Sequence, residues 1–270
     1  DAGPDMDMIE KLISEDDSIK GIWCVPKYSN PDGITYSDDV VRRFARLKPK
    51  AADFRIFWDN AYTVHHLYEE RELHDHIIEI LGECEKVGNP DIVYKFASTS
   101  KICFPGSGLA SLAASINNIN DIKKHLKIQT IGYDKVNQLR HVHYFKNLLG
   151  IKSKMVEHAK ILRPKFEMVL KVFDEELSDL DMIRWTKPKG GYFISFYGMK
   201  GTAKDIVEKC KMLGVKLTDA GATYPYHKDP DDSNIRVAPT YPSVEELETA
   251  LRVFTTCVKL STIEKLLENK

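Results

Sequence analysis

Short apolar runs alternate with amphipathic stretches through the first half of the chain. Gly21-Ile22-Trp23-Cys24-Val25 reads as a buried strand, Phe54-Arg55-Ile56-Phe57-Trp58 as a second, and Asp91-Ile92-Val93-Tyr94-Lys95-Phe96 as a third. Between the first two, residues 37–47 follow helical spacing, and Ser37-Asp38-Asp39 supplies a capping hydroxyl and acidic first-turn charge. Residues 71–87 are expected to be helical as well, because Leu73, Ile77, Ile80, Leu81 and Cys84 recur every three or four positions. Strands alternating with helices indicate an α/β sheet, in which ligands gather at the carboxyl ends of the strands.

The rhythm changes near residue 150. A long helical pattern over 153–177 leads to a strand-like Ile183-Arg184-Trp185, a Gly190-Gly191 turn and a strand over 192–196. A helix over 203–213, short strands at 215–217 and 235–237, and a closing helix over 243–260 follow. This predicts a first domain over residues 1–150 and a second, α+β domain over 151–270, with no repeat or low-complexity tract in either.

Composition narrows the classes. The 43% hydrophobic and 29% charged residues are ordinary for a globular chain, which excludes collagenous, disordered and membrane-spanning sequences. Thirty-nine basic against forty acidic residues leave a formal charge of −1, so no whole-chain basic field exists to hold nucleic acid or an anionic membrane. The five cysteines are odd in number and never spaced C-x-x-C, which argues against a disulfide framework or a structural zinc site and for a reducing cytoplasm. His74-x-His76 and His141-x-His143 sit in helical patterns where i and i+2 point apart, so no metal site is expected from them. Cys103 reads as a small buried hydrophobe.

Polar residues follow each strand-like run of the first half: Asn30 in Ser29-Asn30-Pro31-Asp32-Gly33, Asp59 and Tyr62 in Asp59-Asn60-Ala61-Tyr62, and Lys101 in Ser98-Thr99-Ser100-Lys101. Taken singly each is ordinary, a turn, a loop or a surface lysine. Together, with Trp23-Cys24-Val25-Pro26-Lys27-Tyr28-Ser29-Asn30-Pro31, Asp134 to His141 and Asn234-Ile235-Arg236-Val237-Ala238-Pro239, they resemble the fold-type I pyridoxal 5′-phosphate (PLP) enzymes. The resemblance is to class I-like aminotransferases, and within them to the aspartate aminotransferase branch often described as MocR-family. It covers essentially the whole chain.

The resemblance implies a partial large domain with a mixed, mainly parallel sheet, followed by the small C-terminal domain. It implies PLP as cofactor, with Lys101 as the Schiff-base lysine, a role that calls for an amine buried enough to be neutral part of the time. Asp59 would keep the pyridine nitrogen protonated, and Tyr62 and Asn30 would donate to the phenolate oxygen. Ser98 and Ser100 would reach the phosphate. Arg236 would form a bidentate pair with the substrate α-carboxylate, with Asn30 beside the substrate. Many relatives carry an arginine eight residues after the lysine; here Leu109 stands there, and Ser107 with the backbone amides of Gly106-Ser107-Gly108 is expected to contribute to phosphate binding instead. Lys135 or Arg140 is a candidate cation for a distal carboxylate.

The implied activity is transfer of an amino group between aspartate or glutamate and a 2-oxo acid, in a parent protein expected to be a homodimer. The alternative is the PLP-binding sensor domain of a MocR-type transcriptional regulator, and a PLP-dependent lyase is a third option. Asp1 matches a point midway through the family's large domain, so the chain is expected to be the C-terminal part of a longer parent and to be inactive alone. The strand at 22–25 and the segment 105–116 are then expected to expose apolar surface.

Overall fold

The computed structural model describes residues 2–268, and these divide into two compact units. The first comprises residues up to 28, 34–65 and 74–156; the second comprises 29–33, 66–73 and the residues from 157 onward.

In the first unit, α1 (Met6–Glu15) precedes β1 (Gly21–Cys24), α2 (Asp38–Ala45), β2 (Arg55–Asp59), α3 (Ile80–Lys86), β3 (Val93–Ser98), β4 (Ala110–Ala113), α4 (Ile116–Gln129) and α5 (Lys135–Phe145). The sheet order is β1-β2-β3-β4, with the first two pairs parallel and the last antiparallel. This is the mixed, mainly parallel sheet expected. Ser37 caps α2 by accepting from the Val40 amide, as its sequence start predicts.

The strands bury one face. Ile56 and Trp58 of β2 face α2 and α3, and Tyr36, Phe44 and Trp58 meet with ring centroids 5.7–6.0 Å apart. Aromatic pairs of this kind, one stacked and two edge-to-face, add about 0.5–1.5 kcal/mol each beyond the area they bury. The opposite face carries Trp23, Phe57 and Phe96 in a nearly parallel stack, and Trp23 remains 63% exposed.

The helix α6 (Leu148–Leu177) begins in the first unit and continues in the second. There β5 (Arg184–Trp185), β6 (Ile194–Tyr197) and β7 (Asn234–Val237) form an antiparallel sheet with β6 central. Against it pack α7 (Ala203–Met212) and α8 (Val244–Glu268). Phe173, Phe196 and Phe254 close its core at centroid distances of 5.0–5.5 Å.

Two expected elements differ. Residues 71–87 do not form one helix: a 3-10 turn at Arg71–Leu73 is followed by a non-helical stretch, and α3 starts only after Glu79, which caps it by accepting from the Gly82 amide. Asp75 lies in that stretch, its carboxylate accepting from the Thr35 hydroxyl (2.9 Å) and its amide donating to the Tyr28 hydroxyl (3.3 Å). These bonds hold the backbone open where periodicity alone suggests a turn of helix. His74 and His76 are therefore not on a helix, and no cluster of metal-ligating side chains occurs among the described residues. Residues 215–217 join no ladder; Val215 and Leu217 pack their side chains on the core instead. No helix among the described residues is long and apolar enough to cross a membrane.

Candidate active site

The carboxyl ends of β2 and β3 carry the first unit's candidates. Asp59 ends β2, half-buried, and its carboxylate makes no hydrogen bond or ion pair with any described residue. The Asn60 amide donates to the Phe96 carbonyl (2.9 Å), which ties the turn after β2 to β3. On that turn Tyr62 is buried, and its ring lies 5.1 Å from the Lys101 Nζ. His65, also buried, meets the Lys101 carbonyl through Nε2 (3.1 Å).

Lys101 sits in a closed loop. Ser98 pairs with Ala110 at the end of the β3–β4 ladder, and the Thr99 amide donates to the Leu109 carbonyl (2.8 Å). Ser98, Ser100, Lys101 and Ser107 all lie on this closed loop. Gly108 passes so close to Ser100 that a Cβ there would lie 2.5 Å from its Oγ and 3.0 Å from its backbone nitrogen; only glycine fits. Ile102 turns into a small apolar cluster with Phe145 and Met155, leaving Lys101 exposed. That corrects the expectation of a buried lysine: its neighbour fills the interior, and Lys101 points the other way. A second correction concerns Ser107, whose amide is already committed to the Phe104 carbonyl (2.8 Å), so its hydroxyl is what it can offer an anion.

All five cysteines are free thiols, and four are buried; burial pushes Cys24, Cys84 and Cys210 up to about 12, so they are inert. Cys103 is only half-buried.

The second unit holds Asn30 and Arg236. Asn30 lies in a tight turn in which the Gly33 amide donates to the Ser29 carbonyl (2.7 Å). Gly33 has φ +68°, and a Cβ on it would come within 2.7 Å of Pro188 and 2.8 Å of the Phe193 carbonyl. Arg236, on β7, donates from Nη1 to the Asn30 Oδ1 (2.9 Å) and from Nη2 to the Thr218 hydroxyl (3.5 Å), with its guanidinium 4.6 Å from the Phe193 ring. Its Nε is buried without a hydrogen-bond partner, and no described carboxylate pairs with it. Thr218 and Phe193 were not candidates from sequence; the first lies eighteen residues from Arg236, and no local pattern links them.

The residues present fit a phosphorylated pyridine aldehyde. A lysine over an aromatic ring, an unpartnered carboxylate at the neighbouring strand end and a hydroxyl-rich loop closed by an obligate glycine are the donor set such a group needs.

The chain matches the family model described as aspartate amino-transferase over residues 1–270. It is 46% identical to a putative aminotransferase of Mycolicibacterium smegmatis over 99% of this chain and 62% of the relative. It is 43% identical to an aspartate aminotransferase of Corynebacterium glutamicum, over 97% of this chain and 60% of the relative. A crystal structure of an aspartate transaminase from Corynebacterium glutamicum superposes with a TM-score of 0.93 at 43% identity, covering 98% of this chain and 61% of that one. An α-aminoadipate aminotransferase from Thermus thermophilus, complexed with N-(5′-phosphopyridoxyl)-L-leucine, shares the fold at 19% identity and a TM-score of 0.76, covering 97% of this chain and 64% of that one. The chain therefore spans about six tenths of the length of the curated relatives it matches. With the family model matched from first residue to last, this chain belongs to the aspartate amino-transferase family.

Proposed function

We propose that the parent protein is a PLP-dependent aminotransferase of the MocR-family branch that moves an amino group between aspartate or glutamate and a 2-oxo acid, working as a homodimer. The observation that carries this reading is the closed Ser98–Leu109 loop, which presents Lys101 over Tyr62 beside the unpartnered Asp59. The relatives' names, an aspartate aminotransferase and a putative aminotransferase, support catalysis over a sensor role.

When bound, PLP supplies an aldehyde that takes up the amino group and a ring that accepts the electron pair left at Cα. Lys101 Nζ provides the covalent tether and then carries the proton from Cα, the task of a positioned amine. The Asp59 carboxylate holds a proton at the pyridine nitrogen, and the Tyr62 hydroxyl donates to the phenolate oxygen. Ser98, Ser100 and Ser107 offer hydroxyls to the phosphate in place of the arginine that Leu109 replaces. Arg236 takes the α-carboxylate, held flat by Phe193 and aligned by Asn30, whose amide NH2 stays available because its Oδ1 is the atom that meets Arg236.

Borohydride reduction of the PLP-loaded full-length parent tests the assignment. Mass mapping should find the reduced cofactor on Lys101, and Lys101→Ala should abolish trapping. A label on another lysine would reject the role. Trapping without amino transfer to any 2-oxo acid would fit a sensor domain instead.

A further inference from the structure

α5 grips both stems of the Lys101 loop. His141 is buried, 5% exposed, with each ring nitrogen engaged: Nδ1 meets the Asn137 carbonyl and Nε2 meets the Thr99 hydroxyl, both at 2.9 Å. The Thr99 Oγ1 in turn accepts from the Leu109 amide at 2.9 Å. A carbonyl can only accept, so Nδ1 carries the proton; Nε2 of the neutral ring is then an acceptor, and the Thr99 hydroxyl donates to it. The bonds run in one direction, from the Leu109 amide through the Thr99 hydroxyl and His141 to the Asn137 carbonyl, and every group in the chain is satisfied. Asn137 adds a further tie, its Nδ2 donating to the Ser107 carbonyl (2.9 Å).

A strained residue lies inside the same clamp. Phe104 adopts φ +48°, a left-handed conformation that bulky side chains avoid. Its ring is held edge-on by His141 (5.0 Å) and Tyr144 (5.2 Å), with the Arg140 guanidinium 4.7 Å away. Strain of this kind persists where surrounding contacts over-determine it; here the three ring contacts come from α5, and the Phe104 carbonyl is held by the Ser107 amide (2.8 Å). Lys101 lies between Thr99 and Phe104. The backbone that these bonds hold therefore sets where the Lys101 Cα stands, and with it the reach of Nζ over the Tyr62 ring.

We propose that Thr99 and His141 are positioning residues, which hold the Lys101 loop in register through this hydrogen-bond chain and so set the reach of Nζ. The inference rests on the aminotransferase reading of Lys101.

The test compares Thr99→Val, Thr99→Ser and His141→Phe in the PLP-loaded full-length parent, with the melting temperature measured for each. Valine keeps the shape of threonine and phenylalanine keeps a ring against Phe104, while both remove the bonds. Hydrogen–deuterium exchange of the 99–109 peptide should quicken about fivefold or more in the valine and phenylalanine variants. Exchange in β2 should be unchanged. Trapping at Lys101 should persist while kcat falls roughly tenfold or more, with KM for the amino acid within about twofold, as expected when a reacting group is misplaced rather than lost. Thr99→Ser should restore both readouts. Unchanged exchange and kcat in Thr99→Val would overturn the proposal, as would a failure of serine to rescue, or faster exchange spread over the whole unit. If the wild type traps PLP elsewhere or not at all, the aminotransferase reading fails, and exchange at 99–109 still judges the clamp.

Discussion

A guanidinium offers five donors in a rigid fork, and Arg236 engages only part of them: Nη1 with Asn30, Nη2 at the longer 3.5 Å with Thr218, and Nε with nothing. Such an arginine is set for an incoming planar anion. Lysine at this place would keep the charge and lose the fork, so Arg236→Lys should raise KM for amino acids and oxo acids alike. Losing one charge-assisted bond of about 1.5–3 kcal/mol corresponds to roughly ten- to hundredfold. Steady-state kinetics on a monocarboxylic and a dicarboxylic amino acid check this, and a loss confined to the dicarboxylic substrate would reassign Arg236 to the distal carboxylate. The residues proposed for direct chemical roles could be singled out in the sequence because each follows a strand or lies in a short motif. Thr99 and His141 were not, since they meet across forty-two residues and the sequence said of His141 only that it belongs to no metal site.

At the scale of elements, legibility followed burial. Strands β1 to β3 were readable from their short apolar runs, and helices α2, α7 and α8 from apolar residues at helical spacing, several of them buried in a core. By contrast α4 buries only Asn118 and α5 only His141 and Phe145, so their apolar residues recur at helical spacing without marking a side that faces a core. The 71–87 stretch failed for the opposite reason: it has the spacing, but Asp75 is drawn into hydrogen bonds with Thr35 and Tyr28. A similar carboxylate organises the entry to β7. Asp229, seven residues before Arg236, accepts from the Ser233 and Asn234 amides at 2.8 and 2.9 Å. Partial burial raises its carboxyl, but the amides outweigh this and hold it below the ordinary value. A depressed native value stabilises the fold above the unfolded carboxyl value of about 3.9, and that contribution disappears as pH falls through the native value. Asp229→Asn should therefore lower the melting temperature at neutral pH, with the gap to wild type closing as the pH is taken below about 4. A gap that persists unchanged in acid would show that the carboxylate charge is not what holds this loop.

Both units expose large apolar side chains among the described residues, and many of those in the first unit lie on α4, α5 and the start of α6. Along α5, Val136, Leu139 and Val142 recur every three residues and are each more than half exposed; Ile116 and Ile128 of α4 and Leu148 and Leu149 at the start of α6 are exposed as well. With Trp23 on β1, these side chains are open apolar surface, and such surface favours burial against another polypeptide. The 270-residue chain alone should therefore self-associate at micromolar concentration, and sedimentation velocity should show species larger than 30.8 kDa. Charged replacements confined to the outer face of α5, Val136→Glu with Leu139→Lys, should shift the distribution toward the monomer. They should leave the circular dichroism spectrum unchanged, because neither residue contributes to a core. A chain that sediments as a single monomer over the same concentration range would refute this expectation. If association survives both replacements, another exposed apolar face carries it instead.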